Sequence, residues 1–109
     1  MVRMLIAFSV APSGPGEIPL EGDGGSVAPA VAAALRVVEA SGLPYRLESM
    51  FTTLEGEWDE CLAVIKEATD AVAAYGSRVS LVMKADIRPG RTGQLTAKVE
   101  RVQRLLEEG

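Results

Sequence analysis

Two short extended runs, residues 44–49 and 50–54, meet in this chain almost without a turn. The second runs through Thr52-Thr53-Leu54-Glu55-Gly56 and opens directly onto an amphipathic helix. This strand–strand–helix join restricts the fold more than any other feature. A Thr and a carboxylate at a strand end, beside a glycine that lets the backbone come close, suit a small-ligand pocket.

The elements on either side complete the pattern. Residues 4–10 read as a strand with Met4, Ile6, Phe8 and Val10 on one face and Leu5, Ala7 and Ser9 on the other. Neither face is strongly polar, so both are expected to be covered. Residues 12–25, rich in Gly and Pro, form a loop, with 13–25 expected to be flexible. A helix follows Ser26, its expected N-cap, with Val27, Val31, Ala34, Leu35 and Val38 at helical spacing and Gly42 at its end. A second helix covers about 57–75, with Trp58, Cys61, Leu62, Ile65, Ala68 and Val72 as its buried stripe. Residues 78–88 alternate apolar and polar as a last strand. The turn Arg88-Pro89-Gly90-Arg91 then leads to a helix over about 92–107, striped by Leu95, Val99, Val102 and Leu106. The order β-α-β-β-α-β-α predicts a single α+β domain over 1–109. It is a ferredoxin-like sandwich: a four-stranded antiparallel sheet with helices on one face.

Composition narrows the function. A net charge of −4 and a pI near 4.8 argue against nucleic acid as a partner, because phosphate contacts need clustered Lys and Arg. The single cysteine, Cys61, and the absence of histidine rule out an internal disulfide, a Cys/His zinc site and histidine general-base chemistry. Cys61 falls on an apolar helix face, where packing explains it. The apolar run after Arg3 is too short to span a bilayer and lacks a cleavage motif, so no membrane association and a cytoplasmic location are expected. Leu5, Ala7 and Val82 would stand on the helix-free sheet face, and that predicts a homo-oligomer.

Several segments in order resemble one known family. Ser9 and Pro12 after the first strand, Ser26 at the helix start, and Ser41-Gly42-Leu43-x-Tyr45-x-Leu47 are among them. So are Met50-x-Thr52-x-x-Glu55-Gly56, Lys84-x-Asp86-x-Arg88 and Lys98-Val99-x-x-Val102. Together these are similar to the thiamine-binding-protein family. The resemblance implies a ferredoxin-like, non-enzymatic cytoplasmic protein that binds thiamine or a related pyrimidine, needs no cofactor or metal, and assembles as a dimer of dimers. The chain departs from the family pattern in a longer 13–25 loop, in Ala28-Pro29-Ala30 at the helix start, and in Phe51 at a usually small position.

For such a ligand the candidate binding residues are Ser9, Ser26, Phe51, Thr52, Glu55, Lys84 and Asp86. Thiamine has a cationic thiazolium and an aminopyrimidine with one donor group and two ring acceptors, so a carboxylate and hydroxyls are needed. Glu55 is the first choice for that carboxylate; its alternative role is to cap the second helix. Thr52 either bonds the pyrimidine or serves as a β-branched strand residue. Lys84, Asp86 and Arg88 share a strand face and equally suit a salt-bridge ladder. Phe51 is the stacking candidate, and Trp58 is expected in the core. Two other functions fit the same fold: a regulatory or interaction module for another small metabolite, and a small cofactor-free enzyme, which the missing histidine disfavours.

Overall fold

The computed structural model describes residues 3–20, 26–87, 89 and 93–108. Its elements are β1 (Arg3–Ser13), α1 (Ala28–Ser41), β2 (Tyr45–Leu47), β3 (Thr52–Glu57), α2 (Trp58–Val72), a 3-10 turn (Ala73–Tyr75), β4 (Arg78–Ile87) and α3 (Gln94–Glu108). The strands form one antiparallel sheet in the order β2-β3-β1-β4, the ferredoxin-like arrangement.

Alternation along β1 builds the core. Met4, Ile6, Phe8 and Val10 are buried against α1 and α2, and Leu54 of β3 joins them from the register position opposite Ile6. From α1 the small residues Ala30 and Ala34, with Val38, face inward. From α2 come Cys61, Val64, Ile65, Ala68 and Val72. Trp58 departs from expectation, at 45% exposure. It is the first residue of α2, and a helical side chain leans toward the N-terminus, so its indole projects past the packed turns.

β1 extends to Ser13, further than the Gly/Pro-rich sequence suggests. Beyond Phe8↔Thr52 its pairing with β3 has ended, and only β4 flanks it, up to Ser13↔Arg78. Pro12 therefore sits where β1 has one open side, the position a strand proline tolerates. Part of the following loop is anchored. The Ile18 N–H donates to the Ala74 carbonyl at 2.9 Å, and Gly16 lies so close to Tyr75 and Gly76 that a Cβ there would stand 2.3 Å from their backbone atoms. Residues 21–25 of the expected flexible loop lie outside the described residues.

Helix ends follow local chemistry. Val27 is the N-cap residue of α1, and Ser26, one position earlier, accepts the Ala28 N–H on its hydroxyl at 3.1 Å. Gly42, at φ 75°, closes the helix in the left-handed conformation. At the start of α2 the Glu60 side chain accepts the Glu57 N–H at 3.3 Å.

The two crossover helices, α1 and α2, share one sheet face. The third lies elsewhere: α3 begins on the opposite face, where Glu55 meets its first turn and Lys98 approaches Asp86 at 4.0 Å. Glu55 and Asp86 flank Leu5 in register, on the face away from Ile6 and Leu54. No residue of α3 is buried, so its apolar stripe is not part of this chain's core. The expected link, Arg88, Gly90, Arg91 and Thr92, lies outside the described residues.

Candidate functional site

At one end of the sheet, between β1, α1 and the β2–β3 hairpin, lies a cavity of about 70 Å³. Phe8, Ser9 and Val10 line it from β1, Val31, Ala34 and Leu35 from α1, and residues 47–52 from the hairpin. The hairpin is wider than the sequence suggests. Leu47 pairs with Thr52, and the Glu48 N–H donates to the Phe51 carbonyl at 2.9 Å, so residues 48–51 make a turn. Met50 and Phe51 read as strand because they are apolar, yet Met50 stands 78% exposed at the turn. Thr52 is buried at the inner end of the hairpin. An apolar cavity of about 150 Å³ can enclose a benzene ring. The present space is smaller, so this chain alone encloses less than one aromatic ring, with any remainder of a guest outside the mouth.

Three of the seven residues expected to bind ligand line this cavity: Ser9, Phe51 and Thr52. The other four are placed elsewhere. Ser26 is engaged at the start of α1. Lys84 and Asp86 sit opposite Ala7 and Leu5, on the α3 side of the sheet. Glu55 is 3% exposed, and its carboxylate accepts the Gln94 N–H at 3.0 Å and the Leu95 N–H at 3.2 Å. Those amides open α3, where the positive end of the helix dipole favours an anion. Glu55 thus neither caps α2, which Glu60 serves, nor faces the cavity of Thr52. Three positions apart on a strand, Thr52 and Glu55 point to opposite faces. Gly56 likewise makes room for the core: a Cβ there would meet Leu43 and the Cys61 sulfur at 3.2 Å.

The lining residues not singled out as binding residues by sequence are Phe8 and Val10 on β1, Val31, Ala34 and Leu35 on α1, and Leu47, Glu48, Ser49 and Met50 in the hairpin. The signal available for the hairpin set is its position: a β2–β3 tip overhangs the end of the sheet in this topology. A second hollow, of about 260 Å³, lies between α2 and β4. It is walled by Leu62, Ile65, Leu81 and Met83, with Lys66, Thr69 and Asp70 at its edge. Its two charges pair with each other at 3.2 Å, and they offer a guest little polar recognition. The smaller cavity, with hydroxyls among its lining, is the better recognition site.

Among the described residues no group of three His, Cys, Asp or Glu is placed to hold a metal, and no helix is long and apolar enough to cross a membrane. Burial pushes the Cys61 thiol above its ordinary value, and the Glu60 charge adds to the effect. A protonated, buried thiol is unreactive. Native protein should therefore resist alkylation by iodoacetamide near neutral pH, whereas protein in denaturant should react completely. Rapid labelling of the native protein would show that the α2–β3 contact opens.

Comparison with known proteins places the architecture in context. A family model described as thiamine-binding protein matches residues 7–103. A UPF0045 protein of Mycobacterium bovis is 47% identical over 106 residues, spanning 96% of each chain. A solved domain of unknown function from Bacillus cereus is 32% identical, with a TM-score of 0.74 over 91% of this chain and 88% of its own. A Thermotoga maritima protein provisionally described as a thiamine biosynthesis/salvage protein superposes with a TM-score of 0.73 over 92% of this chain and 98% of its own. Its 20% identity bears on fold alone.

Proposed function

The chain belongs to the thiamine-binding protein family, and on that premise we propose that the cavity beneath the 48–51 hairpin binds thiamine or a related pyrimidine without transforming it. The observation that carries this reading is the lining. Phe8, Val31, Leu35 and Phe51 supply apolar surface, and Ser49 and Thr52 supply hydroxyls; Ser9 borders the cavity, but strand alternation turns its side chain to the face of Leu5 and Ala7. An aminopyrimidine presents an amino donor and ring-nitrogen acceptors, and a hydroxyl can answer either. Phe51, at the mouth-forming turn, is suited to stack on a flat ring. Because one chain encloses less than a ring, the second half of a two-ring ligand must lie outside it. A neighbouring subunit would cover that part in the homo-oligomer, a dimer of dimers, in which we place the protein, acting in the cytoplasm as carrier, buffer or sensor.

Calorimetry with thiamine, its phosphate esters and the free hydroxymethylpyrimidine tests the proposal. Binding of at least one is expected. Thr52→Ala should weaken it about fivefold, as loss of one hydrogen bond implies. Phe51→Ala should cost about as much through lost ring contact. No heat with any of these ligands would sink the proposal.

A further inference from the structure

We propose that Glu48 selects among ligands of the same shape, its carboxylate answering a positive charge at the cavity mouth so that the site prefers monocations to neutral analogues. This rests on the cavity's being the ligand site, and it adds to that reading a residue and a charge rule.

The first support is the chemistry of the lining. Of the described residues that border the cavity, Glu48 alone carries an ionisable side chain; the rest are apolar or hydroxyl-bearing. No Lys or Arg is among them, so no cation of the lining itself neutralises this carboxylate. The second support is position. Glu48 is the first residue past β2, and its N–H is held by the Phe51 carbonyl at 2.9 Å. That bond fixes the backbone at the turn, one residue past the Leu47↔Thr52 pair, with Glu48 exposed and Thr52 buried. A guest whose neutral ring enters toward Thr52 would leave a cationic portion beside Glu48. The third support is what other carboxylates do. Glu55 is committed to the Gln94 and Leu95 amides, and Asp86 lies across the sheet near Lys98. Neither can take this role.

Glu48 is solvent-exposed, so the attraction is screened and moderate. An exposed pair of this kind corresponds to about a fivefold preference. Because the turn is held by backbone atoms, Glu48→Gln removes the charge and leaves the hairpin bond available.

The test compares wild type, Glu48→Gln and the control Glu67→Gln, a carboxylate at a separate surface on α2. Each is titrated with thiamine, a permanent cation, and with hydroxymethylpyrimidine at mildly alkaline pH, where that ligand is neutral. Glu48→Gln should weaken thiamine about fivefold and leave the neutral pyrimidine within about twofold. It should also flatten the salt dependence of thiamine binding. Glu67→Gln should change neither. Equal weakening of both ligands, an unchanged thiamine affinity, or the same loss in the control would each overturn the charge rule while leaving the binding site standing. If wild type binds neither ligand, the site assignment itself fails and takes the rule with it.

Discussion

Replacing Glu55 by alanine will detach the start of α3 from the sheet and destabilise the protein by about 2–3 kcal/mol. The carboxylate accepts the two backbone amides that open α3, at 3.0 and 3.2 Å, and it is almost fully buried. Hydrogen bonds to a charged group contribute more than neutral ones, and the positive end of the helix dipole adds to them. Glu55→Gln should fall between wild type and alanine, because the amide keeps one acceptor and turns its NH₂ group toward a helix end that is itself a donor. Urea unfolding measures the loss, and hydrogen exchange at residues 94–98 locates it. Amides of β1 and β3 should keep their protection in excess of those in α3. Ligand affinity should stay within about twofold, since Glu55 and Thr52 face opposite sides of β3. A large loss of thiamine affinity with no loss of stability would reverse the assignment and return Glu55 to the pocket.

The same residue shows which part of the protein its sequence makes legible. Order and type of element follow from periodicity: alternation in β1 and β4, and helical spacing around Ala34 and Ile65, are local signals that tertiary packing reinforces. The strand-alternation rule applied to Thr52 and Glu55 already separates them onto two faces. A motif read as a unit hides that separation, because sequence proximity suggests a shared pocket. The partner that explains Glu55 begins 39 residues later, at Gln94. No local pattern indicates that a third helix would cross to the far face and present its first amides there. The hairpin tip fails for a related reason. Met50 and Phe51 have the composition of strand residues, and only the Leu47↔Thr52 register shows that they belong to the turn. Ser9, Phe51 and Thr52 share the cavity because β3 begins opposite Phe8, partway along β1, a long-range pairing.

If the chain assembles as proposed, charged substitutions on α3 will dissociate it without unfolding its subunit. The helix has no buried residue, yet Val99 and Val102 stand 43% and 51% exposed along a continuous stripe that ends at Leu106. On β4, Leu81, Val82, Met83 and Ile87 are exposed as well, and β4 is an edge strand with β1 on one side only. The radius of gyration is 15.8 Å, against about 13 Å for a compact domain of this size, as expected if part of the chain reaches outward. An unpaired edge beside an apolar helix is a surface that folded monomers seldom leave uncovered. A second copy has the matching surface, and in a two-fold assembly each residue is buried twice. Burying the remaining exposed half of Val99 and Val102 in both copies contributes on the order of 3 kcal/mol, taking about half of 1.5 kcal/mol for each of the four side chains. Val99→Glu combined with Val102→Glu should therefore weaken association about a hundredfold or more. The circular dichroism and urea midpoint of the dissociated subunit should reflect an intact sheet, because neither side chain lies in the core. Sedimentation across a range of concentrations reads the outcome. A wild-type protein that sediments as an 11.5 kDa monomer at every concentration would mean that this surface is not covered by a second copy.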